Sequence, residues 1–291
     1  MYKAIAANKR NTVIIMAVFV GIIAAIGYAV GLVYGNSSIA VWVIAGAAIY
    51  ALIQYFAASK LAVAMTGAKE IEKKDSPRLY RIVENLAITT GMPTPKIYLI
   101  DDPAPNAFAT GRDPKHAIVA ATTGILDVME DRELEAVMAH EMGHVQNYDI
   151  RVSMIAFGLV SAIGILSDLA MRMFFFGGSD NRNSNPIMLV VGIILIILAP
   201  IMAAIIQMAI SRQREYLADA TGALTTRDSE GLASALEKLQ QYGRPMQHQN
   251  SSTAHLFFSN PLKGGAIAKL FSTHPPLEDR IARLRNNAHK F

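Results

Sequence analysis

The chain has 291 residues, of which 52% are hydrophobic and only 17% charged, more apolar than an ordinary soluble fold of this length. Its formal net charge is +4. It contains no cysteine, which excludes disulfides and thiolate metal sites, so a bound metal has to be held by nitrogen and oxygen.

The first apolar windows, 12–34 and 39–58, each hold about the 20 residues needed to cross a hydrocarbon core at ~1.5 Å per residue. Lys3, Lys9 and Arg10 precede them in a short tail, 1–11, as in a signal peptide. The first run is longer than a signal peptide's apolar core, however, and the second follows directly after "GNSS", so an uncleaved transmembrane hairpin, 12–58, is expected.

A polar block, 59–151, follows. Ser76 and Pro77 read as a cap and a proline at the first helical position, and Leu79, Ile82, Val83 and Leu86 recur at helical spacing until Gly91. Two β-like runs, "KIYLI" at 96–100 and "HAIVAAT" at 116–122, flank "NAFATG" at 106–111, and together they imply a small sheet. Asp131 is expected to cap a helix starting at Arg132, with Leu134, Val137, Met138 and Met142 on its apolar side. On that helix His140 and His144 are four apart and project from one face, suited to ligate one zinc ion, with Glu141 placed to reach a water on it. This is the HExxH arrangement, in which the metal lowers the pKa of its water and the glutamate takes the proton. The plainer reading is two solvated histidines on a polar helix face.

Two further windows, 152–171 and 187–210, make a second expected hairpin, 152–210; the first of them is diluted by Ser153, Ser161, Ser167 and Asp168. Lys3, Lys9, Arg10, Lys60, Arg151, Arg212 and Arg214 flank the four windows on one side, and only Arg172 and Arg182 fall on the other. Both termini and both polar blocks are therefore expected in the cytoplasm. The basic balance is accounted for by these flanks beside a lipid bilayer, and no nucleic-acid motif is present.

The second block, 211–291, opens with "SRQREYLADATGAL". A catalytic zinc needs a third protein ligand and an open position, and the remaining His, Glu and Asp residues on the cytoplasmic side are the candidates. Glu215 meets that condition, with Asp219 one turn on as a candidate to hydrogen-bond the second nitrogen of a ligand histidine. An ion pair of Glu215 with Arg212 or Arg214 is the competing reading. A helix from Ser229 to Tyr242 ends at Gly243, residues 246–253 read as a mobile loop, and "STHPPLEDRIARL" reads as a turn leading into a last helix from about Pro276.

"HEMGH" at 140–144, "EYLAD" at 215–219, "NAF" at 106–108 and "THPP" at 273–276 resemble the HtpX family of integral-membrane zinc metalloproteases, relatives of the CAAX prenyl proteases, over essentially the whole chain. With the four windows, the resemblance implies an α-helical membrane protein (four transmembrane helices) with a cytoplasmic α+β zincin-like metalloprotease domain of gluzincin type, a small sheet plus the HExxH helix. It implies one Zn2+ per chain, Glu215 as third ligand and Asp219 as its helper. It also implies endoproteolysis of misfolded or damaged membrane proteins and unfolded chains at the cytoplasmic face of a bacterial plasma (inner) membrane. Such activity belongs to the stress response, alongside other membrane quality-control proteases. By the same resemblance Asn106, Ala107 and Phe108 hold substrate backbone at a strand edge, and His274 and Arg280 donate hydrogen bonds to the tetrahedral oxyanion. An ordinary edge strand, a loop histidine and a solvated arginine are the plainer readings.

Two rival functions are compatible with the motifs. A CAAX-type protease for prenylated peptides is built with more membrane helices around a large chamber, for which four windows are too few. A non-catalytic membrane-anchored zinc-binding adaptor would favour a closed metal shell, often with cysteine, which this chain lacks. A transporter finds little support, since Asp168 is the only acidic residue within any window.

Overall fold

The computed structural model describes residues 2–156, 158–159, 212–247, 256–259 and 275–288. The chain forms two compact units, one of Met1–Asn8, Ser59–Met154 and Ile210–Phe291, the other of Lys9–Ala58 and Ile155–Ala209.

In the second of these, two long helices dominate the described residues: α1 (Tyr2–Tyr34) and α2 (Ser38–Thr66), whose outer turns extend into the first unit. Both contain stretches long and apolar enough to cross a membrane, Ile5–Tyr28 and Ala40–Thr66. Val13, Tyr28, Trp42, Leu52 and Phe56 are exposed on them, the pattern of helices whose solvent is lipid. The helices approach closely at Gly27, where an added Cβ would come within 2.8 Å of Val43. α1 starts ten residues before the apolar window because its polar first turns are helical too, which a hydropathy window does not register. Of the expected second hairpin, residues 152–156 and 158–159 are helical and the rest lies outside the described residues.

The first unit is α+β. Its sheet has the order β1-β2-β4-β3, formed by β1 (Lys69–Glu70), β2 (Lys96–Ile100), β3 (Ala107–Thr110) and β4 (Ile118–Thr122). β2 and β4 run parallel with Lys96 opposite Ile118, while β3 returns antiparallel with Ala107 opposite Ala121. Strand β4 is buried along its length, which is why its sequence is a continuous apolar run and shows no alternation. The first residues of "HAIVAAT" instead close a short 3-10 turn, Pro114–His116, whose Asp113 side chain accepts from the His116 amide.

The unit is completed by α3 (Pro77–Thr90), α4 (Thr123–Val128), α5 (Asp131–Gln146), α6 (Arg212–Thr226), α7 (Ser229–Tyr242) and α8 (Leu277–Asn286), and by the start of a further helix at 149. Helix α3 has Pro77 in its first turn and stops at Gly91, whose φ of 66° is the left-handed cap that glycine adopts without steric cost. Helix α5 is the centre of the core: Leu134, Val137, Met138 and Met142 are buried with Leu79, Val83, Ile97, Val119, Leu232 and Leu236 around it. The stretch 246–253, expected as a loop, lies outside the described residues beyond Gln247.

The start of α5 differs from expectation by one residue. Glu130, not Asp131, is the cap, and the Glu133 carboxylate reaches back to accept from the Glu130 amide at 2.8 Å, while Asp131 pairs with Arg78. Glu133 also accepts from Lys238 and from the Ser234 hydroxyl, both at 2.6 Å, tying α5 to α7. Burial pushes its carboxyl up, but Lys238, Ser234 and the Glu130 amide outweigh burial and hold it below the usual range. Glu133→Ala should therefore cost about 1–3 kcal/mol in denaturant unfolding at neutral pH. Because the folded pKa is depressed, this contribution is complete above the unfolded value of ~4.3 and is lost as pH falls through the folded one. The stability difference between wild type and variant should accordingly shrink as pH falls below the unfolded value of ~4.3.

Candidate active site

The site is made where α5 and α6 meet backbone to backbone. A Cβ added at Gly222 would lie 3.0 Å from the His140 amide nitrogen and 3.1 Å from its Cα, and one at Gly143 would touch Thr221 and Ala218 at 3.4–3.5 Å. Small residues at these positions let α6 press its first turns against the face that carries His140 and His144.

The result is a triangle of donors. His140 Nε2 and His144 Nε2 are 3.2 Å apart, His144 Nε2 is 3.4 Å from Glu215 Oε1, and His140 Nε2 is 3.8 Å from Glu215 Oε2. A tetrahedral ion with bonds of ~2.0–2.1 Å separates its ligands by about 3.3 Å, so the spacing suits a single small divalent cation. The three residues form the one group of metal-ligand type among the described residues.

Each histidine is oriented by a carboxylate on its far nitrogen. Asp219 Oδ1 lies 2.9 Å from His140 Nδ1, and Asp149 Oδ2 lies 3.0 Å from His144 Nδ1, which leaves both Nε2 atoms facing the centre. Asp219 is itself gripped by Arg280, whose Nε and Nη2 donate to its two oxygens at 2.9 and 2.7 Å. Arg280 is fully buried, lies 4.9 Å over the Phe258 ring, and has its Nη1 3.9 Å from Glu215 Oε2. Asp149 reaches His144 because α5 breaks first. Tyr148 takes a left-handed φ of 61°, the chain re-enters a helix at 149, and Asp149 swings back; on an unbroken helix, five residues on lies about 140° round the axis.

The titrating groups reflect this packing. Burial lowers the His140 pKa to about 4 against the pull of Asp219, so the ring is neutral. Burial acts the same way on His144, but Glu215, Asp149 and Glu141 outweigh it and raise the pKa to about 9. Burial pushes the Glu141 carboxyl up to about 7, with His144 opposing and Glu215 reinforcing the shift, while the Ala109 amide donates to it. Asp219 is held well below the usual carboxylate range: burial raises it, and Arg280 and His140 more than reverse that. A carboxyl poised near neutrality beside three metal-ligating groups is the property of a general base.

Asn106 lies at the start of β3, the sheet edge. Its side chain donates to the Ser259 carbonyl at 2.8 Å and accepts from the Ser259 amide at 3.0 Å, while the Phe258 amide donates to the Ala107 carbonyl at 2.8 Å. Phe108 is fully buried, in edge contact with Phe257. Residues 106–108 thus hold Phe257, Phe258 and Ser259 of this chain, the last two by their backbone groups. His274 lies outside the described residues. Asp149 and Asn8, which hydrogen-bonds it, were not singled out by the sequence: one reads as the polar flank of an apolar window, the other as part of a charged tail.

A His-His-Glu triangle, buried at His140 and half-buried at the other two, with a glutamate of raised pKa alongside, defines an HExxH metallopeptidase. Residues 73–288 match the model of Peptidase family M48. The chain is 54% identical to the Protease HtpX homolog of Tropheryma whipplei (strain Twist) over 291 residues, all of both chains. It is 45% identical over 296 residues to the Protease HtpX homolog of Streptococcus pneumoniae (strain Hungary19A-6), covering 98% of this chain and 99% of that one. The fold is similar to that in the crystal structure of S. mikatae Ste24p, with a TM-score of 0.53 at 20% identity, covering 98% of this chain and 67% of that one. The chain belongs to the HtpX branch of peptidase family M48, and is a metallopeptidase with membrane helices.

The close approach of α5 and α6 is open to test. Gly222→Ala gains up to about 1 kcal/mol in helix propensity but forces a methyl group against the backbone of a helix packed on all sides, at a cost of about 1–3 kcal/mol. Thermal unfolding should show net destabilisation, and metal titration should show weaker binding, because the displaced helix carries Glu215.

Proposed function

We propose that the chain is a zinc endopeptidase that cleaves misfolded or damaged membrane proteins and unfolded chains at the cytoplasmic face of a bacterial plasma membrane, in stress-responsive quality control alongside other membrane proteases. The observation that carries this reading is the convergence of His140, His144 and Glu215, with the buried Glu141 carboxyl beside them. Two imidazole nitrogens and one carboxylate at near-tetrahedral spacing favour zinc over an oxygen-seeking cation such as magnesium or calcium. Held there by His140, His144 and Glu215, zinc would supply Lewis acidity toward the scissile carbonyl and would lower the pKa of the attacking water.

The chain's own residues do the rest. Glu141 takes a proton from the attacking water and delivers it to the leaving amine. Asp219 and Asp149 keep the two rings turned so that Nε2 faces the cleft. Arg280 and His274 serve the developing oxyanion; in support, Arg280 Nη1 is buried without a hydrogen-bond partner among the described residues. Asn106, Ala107 and Phe108 hold the substrate backbone, taking over for it the partners that now bind Phe258 and Ser259. In the proposed architecture a second transmembrane hairpin, 152–210, divides the gluzincin-type domain into halves, 59–151 and 211–291, so that four helices anchor it with both termini cytoplasmic.

Two variants of the detergent-solubilised protein test the assignment. Glu141→Gln should keep zinc at about one ion per chain and lose at least ~100-fold in casein cleavage, whereas Glu215→Ala should lose both zinc and cleavage. Wild-type turnover by Glu141→Gln would remove Glu141 as the base. Preference for a farnesylated peptide over casein would move the substrate toward the CAAX class.

A further inference from the structure

The carboxylate that orients His144 is itself held from the far end of the sequence. Asp149 Oδ1, the oxygen not facing His144, accepts from Asn8 Nδ2 at 2.7 Å, across 141 positions of chain. The same amide nitrogen donates to the Asn147 carbonyl at 2.8 Å, so both of its hydrogens have an acceptor. Asn8 is only 5% exposed and lies on the second turn of α1, in the part of that helix that belongs to the peptidase unit.

The chemistry of these contacts is directional. A neutral amide supplies no charge to Asp149; a guanidinium nitrogen, Arg214 Nη1, lies 4.0 Å from that same oxygen. Asn8 instead pins one carboxylate oxygen and the carbonyl at the break after α5, leaving the other oxygen aimed at the ring. A ligand histidine turned away by a few tenths of an ångström loses metal affinity, and partners of this kind are typically worth 10–100-fold.

We propose that Asn8 is a positioning residue of the metal centre: through Asp149 it fixes the His144 ring, which makes the amino-terminal turns of α1 part of the peptidase site. This role rests on the metal-site reading above.

The test uses the full-length protein in detergent. Zinc dissociation constants from chelator competition, and unfolding temperatures of the metal-free form, are measured for wild type, Asn8→Ala, Asn8→Asp, Asp149→Asn and the exchanged pair Asn8→Asp/Asp149→Asn. Asn8→Ala should bind zinc ~10-fold more weakly. Asn8→Asp should be weaker still, because two carboxylates then abut. Relative to Asn8→Asp, the exchanged pair should recover the part of the loss that comes from two abutting carboxylates, since an amide at 149 then donates to the carboxylate at 8 with its oxygen free for His144, but not the part that comes from the Asn147 carbonyl, which loses its donor in both. Wild-type affinity in Asn8→Ala would overturn the proposal. So would strictly additive effects in the exchanged pair, with affinity tracking the metal-free unfolding temperature, which is the outcome for a merely structural asparagine. A wild-type protein that binds no zinc would overturn the metal-site reading itself, and the role of Asn8 with it.

Discussion

The active centre depends on two helices touching through their backbones. α5 is buried on nearly every side and has no room to shift, and α6 reaches it only because Gly143, Ala218 and Gly222 offer so little side chain at the crossing. That approach joins two local patterns into one site. Histidines one turn apart on α5 meet a glutamate and an aspartate one turn apart on α6, so Glu215 falls between the two Nε2 atoms and Asp219 falls behind His140. Ordinary helix geometry stacks residues four apart on one face, and the crossing does the remainder.

Around this crossing the protein buries a concentration of charge that is costly unless each member is matched. Asp219 and Arg280 are matched in a two-pronged pair, and the Arg280 plane rests on Phe258. The two imidazoles respond in opposite senses: burial keeps His140 neutral, whereas His144, enclosed by Glu215 and Asp149, attracts a proton. Positive charge is thus favoured at His144, while Glu141, raised by burial against the pull of His144, is held near the point of releasing its proton.

How far the sequence discloses this varies with the range of the interaction. The histidine pair and its helix were legible because the spacing and the apolar stripe of α5 are local. Glu215 was legible through the side of the membrane on which its segment is expected to emerge and through the family likeness of "EYLAD" at 215–219. Asp149 was not, because its position depends on Tyr148 adopting a left-handed backbone, which tyrosine seldom does and no pattern announces. Asn8 was less visible still: it stands among Lys3, Lys9 and Arg10 in what reads as a charged tail, and its partners lie more than 130 positions away. In the sheet, "KIYLI" was readable as a strand, whereas β1 is two residues long and exists only because β2 offers it a partner.

The edges of that sheet have a consequence for the molecule's behaviour in company. β1 is short and charged, with Lys69 and Glu70 facing solvent, and along β3 the Ala107 carbonyl and the Ala109 amide are already engaged by Phe258 and Glu141. Unfinished strand edges are where folded proteins zip together into aggregates, and short, charged or covered edges prevent it. Copies crowded together in one membrane thus meet without a ready row of backbone groups to pair through, and an extended chain gains the β3 edge by exchange with the segment already there, not by simple addition.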